Sequence, residues 1–403
     1  MVLDQKSLTA RDLANVAMAH KAGNDDTRQR RRRLRWVRTK DAVVKIGRLL
    51  SEWSDATDDP LTWETVFNET SLTCRSDSIG AVKAEILADA LMCGALPRLT
   101  SLDLSFNQIG DAGLKELSRA IASGSLGALQ RLYLSENEIG DEGIKALASA
   151  LASGSMANLQ GLGLGSNNIG EAGMIELSRS IASGSMAGLK AFNLDRNYIG
   201  DGGMPSLASA IASGSMASLE RLFLSNNWIG DAGMTALAGA IASGSLGSLT
   251  FLRLDSNQIG DPGMSALAGA IASGSLGNLA SLWLQRNKIG DAGMTEFSRA
   301  IASGSLGKLQ VLHLSYNRIG NAGITALAGA FASGSLGKLE LLNLGSNEIG
   351  DAGMAEFSSA ISSRLLPSLH SLIIDDGPFG TGHPQLKAAC DARRIRLLFV
   401  ARS

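Results

Sequence analysis

Residues Leu249–Leu279 read L-T-F-L-R-L-D-S-N-Q-I-G-D-P-G-M-S-A-L-A-G-A-I-A-S-G-S-L-G-N-L, and the phrase recurs every thirty residues without insertion or deletion. Its asparagine returns at Asn107, Asn137, Asn167, Asn197, Asn227, Asn257, Asn287, Asn317 and Asn347, which makes nine copies in strict register. A fixed period of this length means a stacked array whose unit is one supersecondary element. A single unit cannot cover its own apolar stripe; neighbours stacked on it can.

Each half of the phrase has a physical job. In Leu252-Arg253-Leu254 apolar and polar residues alternate, the period of a strand with one buried face. Asn257 follows where the chain leaves the strand. Its amide both donates and accepts, so stacked asparagines are expected to satisfy the buried backbone of neighbouring turns. Gly260 permits a turn, Asp261 is expected to cap the helix that follows, and Pro262 is placed at the first helical position. Met264, Leu267, Ala270 and Ile271 form one inward stripe. Gly274 closes the helix, and Leu276 and Leu279 lead into the next strand. The reading is an α/β solenoid of βα units. Strands stack about 4.8 Å apart and packed helices need roughly 8–10 Å, so the array must arc, with a parallel sheet on the concave face and helices on the convex one.

The copies differ from one another in a pattern. Core positions barely change, whereas positions flanking the leucines change at every repeat. The residue between the two strand leucines runs Asp103, Tyr133, Gly163, Asn193, Phe223, Arg253, Trp283, His313, Asn343. The residue before the asparagine includes Arg196, Arg286 and Tyr316, and the residue after it includes Tyr198, Trp228, Lys288 and Arg318. Alternation points these side chains, with Phe251, into the concavity or along its rim. Exposed Trp, Tyr and Arg are the side chains that anchor protein interfaces. The expected partner-binding set is therefore Tyr133, Arg196, Tyr198, Phe223, Trp228, Phe251, Arg253, Trp283, Arg286, Lys288, His313, Tyr316 and Arg318. The competing reading is that the rings merely stack across neighbouring strands. The helix surfaces, at positions such as Thr235, Ala236, Gly239 and Ser243, are bland by comparison.

The ends depart from the phrase. Residues 1–70 are expected to form a basic helical extension, 71–100 an N-terminal capping repeat, 101–370 the nine repeats and 371–403 a C-terminal cap ending in an apolar strand. Asp77 replaces the asparagine at the first end and Gly377 at the second. Residues 1–50 carry thirteen Lys+Arg against five Asp+Glu, so the net charge of −1 hides a basic head on an acidic solenoid. Eight cations fall within Arg28–Lys40: Arg28, Arg30, Arg31, Arg32, Arg33, Arg35, Arg38 and Lys40. Such a run serves nuclear import or contact with nucleic acid or an anionic membrane, or it is a solvated helix face. Cys74, Cys93 and Cys390 suit neither a disulfide framework nor metal spacing, which points to a reducing compartment. With no long apolar run, the expected location is cytoplasmic or nuclear.

With these residues in view, N-x-I-G-D-A-G-M-x-x-L resembles the ribonuclease-inhibitor-like class of leucine-rich repeats over Ser71–Val400. Ribonuclease inhibitors, Ran GTPase-activating proteins and the sensor portions of NOD-like receptors share that class. The resemblance implies a curved array that grips another protein. A second implication is activation of a small GTPase. Ran GTPase-activating proteins resemble one another around an arginine just before a repeat asparagine, and Arg196 and Arg286 occupy that slot. The acidic tail of many such proteins is missing here. Leu8–His20 with Trp63–Phe67 also resembles the second half of an F-box, the module that joins such repeats to ubiquitin ligases, without its leading Leu-Pro segment. No catalytic, metal or cofactor chemistry is expected, and no small-molecule substrate. His20, His313, His370 and His383 stand at neither metal-ligand nor triad spacing, and the Gly-Ser pairs belong to the helix exits. The leading expectation is a non-enzymatic scaffold for a protein partner with acidic groups.

Overall fold

The computed structural model describes residues 70–75, 79–363, 365–375 and 383–400. The basic run, the helical extension expected over residues 1–70 apart from its last residue, and the Asp77 and Gly377 positions lie outside them. Among the described residues twelve strands form one sheet in sequence order: β1 (Ser71–Thr73), β2 (Ser101–Asp103), β3 (Arg131–Tyr133), β4 (Gly161–Gly163), β5 (Ala191–Asn193), β6 (Arg221–Phe223), β7 (Phe251–Arg253), β8 (Ser281–Trp283), β9 (Val311–His313), β10 (Leu341–Asn343), β11 (Ser371–Asp375) and β12 (Arg396–Val400). Neighbours pair in parallel, and from β1 to β11 the register steps by thirty residues, as in Phe251↔Ser281 and Arg253↔Trp283. Helices alternate with the strands: α1 (Gly80–Met92), α2 (Gly110–Ala122), α3 (Asp141–Ala152), α4 (Glu171–Ala182), α5 (Gly200–Ala210), α6 (Asp231–Ala242), α7 (Asp261–Ala272), α8 (Asp291–Ala302), α9 (Asn321–Phe331), α10 (Asp351–Ser362) and α11 (Pro384–Arg393).

The apolar stripes meet between the two layers. In the seventh strand–helix unit Leu252, Leu254, Ile259, Met264, Leu267, Ile271, Leu276 and Leu279 are all fully buried, each removing from water the equivalent of about 1.5–3 kcal/mol. Phe192, Phe297, Phe331 and Phe357 take leucine or isoleucine positions and are buried just as completely. Gly274 closes α7 at φ +82°, a conformation that a side chain would oppose.

The buried asparagines knit the stack as expected. Asn257 Nδ2 donates to the carbonyls of Leu224 in the preceding repeat and Leu254 in its own, at 2.9 and 3.0 Å. Its Oδ1 accepts from the amides of Asn227 and Ile229, both at 3.0 Å. At the C-terminal end Asp375 takes over the accepting role, receiving the amides of Ser346 and Asn347. There β12 pairs with β11 and covers its edge.

Two expectations about the helix start are corrected. Asp261 does not cap its own helix: Gly260, with extended backbone, is the N-cap and Asp261 is already helical. Its carboxylate instead accepts from Gly290 and Gly293 in the following repeat. Pro262 accordingly sits at the second helical position, where its missing donor still falls in the first turn and would have had no intrahelical partner.

Candidate functional site

The strand period fixes which side chains face away from the helices. In β8, Leu282 is buried in the core while Ser281 and Trp283 flank it on the other face. The chain then turns sharply, because the residue before each asparagine adopts a left-handed conformation: φ is +54° at Arg196, +56° at Arg286 and +54° at Tyr316. This turn sets these side chains on the rim. β-branched residues are true outliers in that conformation, and none of the nine residues in this track is β-branched. Beside them Tyr198 and Trp228 are 57 and 61 % exposed.

Four rings from four successive strands form a continuous row. The Phe223 and Phe251 centroids lie 5.1 Å apart, Phe251 and Trp283 5.5 Å, and Trp283 and His313 4.9 Å. All four are half-buried, so each packs on its neighbours and still presents surface to the concavity. The Trp283 indole N–H donates to Ser281 Oγ at 2.9 Å, which fixes the ring's tilt. Burial pushes the His313 imidazole below its ordinary value, and Asp255 pulls weakly the other way. The row is neutral near physiological pH.

Arg253 lies against this row, its guanidinium 5.2 Å from the Trp283 ring centroid. It is already committed. Nε donates to Asp255 at 2.7 Å and an Nη to Asp195, two strands away, at 3.0 Å. Ser225 ties both carboxylates together, its amide donating to Asp195 and its hydroxyl to Asp255, each at 2.7 Å. Burial raises the Asp195 carboxyl above its ordinary value, more than Arg253 and the Ser225 amide lower it. For Arg253 burial lowers, but the bond to Asp255 and the attraction of both carboxylates leave its value raised. Asp195 and Asp255 were absent from the sequence-derived set. The signal was there: period-two alternation runs one step past the second leucine, and these residues occupy that step.

The rim cations behave differently. Arg286 lies over the Tyr316 ring at 4.4 Å, and Lys288 donates to Gln258 at 3.1 Å. Neither these two nor Arg318 forms an ion pair among the described residues. Their charge is available to a partner.

A second hollow, of about 400 Å³, opens over β4. Its cause is local: both outward positions of that strand, Gly161 and Gly163, are glycine, and so is Gly165, the next residue in phase beyond it. A Cβ on Gly163 would stand 2.8 Å from Tyr133 Cδ1, so the glycine lets the tyrosine ring lie across the strand. Tyr133 and Arg196 line this hollow and Arg253 walls it off. The expected site residues therefore divide, with Tyr133 and Arg196 here and Phe223, Phe251, Trp283 and His313 in the ring row. Tyr198 and Trp228 stand on the rim between them, Arg286, Lys288, Tyr316 and Arg318 beside the row's far end. The basic segment Arg28–Lys40 lies outside the described residues. Among the described residues, no cluster of His, Cys, Asp and Glu could hold a metal and no helix is long and apolar enough to cross a membrane.

The family described as Leucine Rich repeat matches at residues 96–118, 129–148, 215–238, 248–268, 308–328 and 338–358. No curated protein matches the chain. Among solved structures, an internalin from Listeria monocytogenes superposes with a TM-score of 0.51 at 21% identity, covering 90% of this chain and 89% of that one. The Arabidopsis receptor kinase HAESA, in complex with the peptide hormone IDA and the co-receptor SERK1, gives 0.46 at 18% identity and covers 90% of this chain but 54% of that one. At 21% identity the likeness to the internalin is one of fold.

Proposed function

Since this chain is a leucine-rich repeat protein, we propose that it is a non-enzymatic scaffold that holds a protein partner on the concave face of its sheet. The observation that carries this reading is the pairing of a half-exposed four-ring row with unpaired cations on the adjoining rim. Aromatic side chains supply large contact area at little entropic cost, and the arginines supply directed charge. Both are the side-chain types that dominate protein interfaces.

The test is the double substitution Trp283→Ala with Arg286→Ala, compared with wild type by affinity capture and mass spectrometry. Loss of one major captured protein is expected. Trp283 packs between Phe251 and His313, so the variant also loses about 1–2 kcal/mol of stability. Capture is therefore measured well below its unfolding temperature. Undiminished capture by the folded variant overturns the site.

A further inference from the structure

We propose that the occupant of the ring row is an amphipathic α-helix with an acidic flank, laid across β6 to β9. This rests on the concave-face reading above and says what kind of partner that face fits.

The first argument is spacing. The rings follow one another at 5.1, 5.5 and 4.9 Å. A helix running across the strands presents its apolar stripe about every 5.4 Å, one side chain per turn, and stays opposite successive rings along the whole row. An extended chain lying the same way presents same-side residues about 6.6–6.8 Å apart and is out of step by more than half a ring spacing after two of them. An extended chain running along the strands would cross the row and meet one or two rings. The helix is the element whose repeat matches this surface.

The second argument is charge. Arg253, in the middle of the face, has its charge compensated by Asp195 and Asp255. Arg286, Lys288 and Arg318 are unpaired among the described residues and stand on one rim only. On the opposite margin Thr250, Ala280 and Gln310 precede β7 to β9 and carry no charge, whereas at β6 stand Arg221 and Glu220, the latter paired with Lys190 at 3.3 Å. Over β8 and β9 a helix seated on the rings thus meets Arg286, Lys288 and Arg318 along one flank and neutral groups along the other. Its acidic residues belong on the first flank, and its C-terminal carbonyls gain from lying over the same cations.

The probe is a synthetic peptide of about five turns, with a leucine stripe and a glutamate flank, titrated calorimetrically into the full chain. Two relatives of it serve as controls: one with a central proline, which breaks the helix, and one with lysine for every glutamate. The helical acidic peptide is expected to bind and to gain circular-dichroism helicity on binding, with each control at least about tenfold weaker, a loss of about 1.4 kcal/mol. Arg286→Glu with Arg318→Glu should invert the preference between the glutamate and lysine peptides. That inversion separates a charged docking site from apolar stickiness. Equal binding of the helical and proline-interrupted peptides overturns the helix and leaves the concave face as a site for extended segments. Failure of all peptides, while lysate capture still depends on Trp283, also overturns the helix but not the binding face. Failure of both overturns both.

Discussion

The carboxylate of Asp261 accepts the amide of Gly290, one repeat further on, at 2.7 Å. The same geometry joins Asp111 to Gly140, Asp141 to Gly170, Asp201 to Gly230, Asp231 to Gly260 and Asp291 to Gly320, and Asn321 supplies it to Gly350. Where the preceding repeat lacks such a side chain, the glycine flips. Gly110 follows Ala81 and Gly200 follows Glu171; both have positive φ, at +60° and +56°, and donate instead to the carbonyls of Asn137 and Asn227. Each helix start is thus set by its predecessor, and a Cβ on Gly290 would lie 3.1 Å from Asp261 Oδ2, close enough that the capping carboxylate would have to shift.

Asp261→Asn is therefore expected to stay within about 0.5 kcal/mol of wild type, while Asp261→Ala loses about 1 kcal/mol. Glu171→Asp should change stability by less than about 0.5 kcal/mol, since a carboxylate that reaches the Gly200 amide only replaces its bond to the Asn227 carbonyl. Urea unfolding checks all three. An alanine variant as stable as the asparagine one would refute the cross-repeat cap.

Asn257→Ala removes five contacts at once: donation to Leu224, Leu254 and Asp255, and acceptance from Asn227 and Ile229. The orphaned groups are buried with no route to water. A loss of about 3–5 kcal/mol is expected in urea unfolding. Asn257→Asp keeps the acceptor but faces the same carbonyls with a carboxylate, so it should recover little. A loss below about 1 kcal/mol for alanine would mean that the stack holds without its amides.

The contrast between these two devices shows what a repeated sequence can and cannot disclose. Leu252, Leu254, Met264 and Ile271 are legible because burial depends only on period, which the copies state nine times. The asparagine stack is legible for the same reason. Asp261 is not, since a residue that caps its own helix and one that caps the next occupy the same letter of the phrase. The link between Arg253 and Asp195 is harder still. They are fifty-eight residues apart in variable tracks of different repeats, and only the stacking of β5 to β7 brings them together. The ring row was legible residue by residue, but the ring contacts depend on side-chain tilt, which periodicity does not set.

The Asp195–Arg253 pair should respond unequally to losing either partner. Burial outweighs attraction at Asp195, so Asp195→Asn is expected to cost less than about 1 kcal/mol, whereas Arg253→Ala strands two carboxylates and costs about 2–4 kcal/mol. The raised carboxyl also sets a pH dependence. Between the ordinary value of 3.8 and the higher folded value the folded state holds more protons than the unfolded chain, so stability falls as pH rises through that window. Asp195→Asn should flatten this slope in thermal unfolding as pH rises above the ordinary value of 3.8. A slope unchanged by the substitution would assign it to another group.

His313 carries the opposite sign. Burial at the end of the ring row holds its value below 6.5, with Asp255 opposing weakly. As pH falls below 6.5 the unfolded chain takes up its proton first, so the folded state loses stability until the folded value is passed and the loss levels off. His313→Phe keeps a ring against Trp283, forfeits the 3.3 Å contact with Asn343, and has no proton to gain. The difference in unfolding free energy between variant and wild type should therefore grow in the variant's favour from about pH 7 to about pH 5. Denaturant unfolding at each pH measures it, and a difference that stays level across the range would show that the imidazole is protonated as readily in the folded protein as in the open chain.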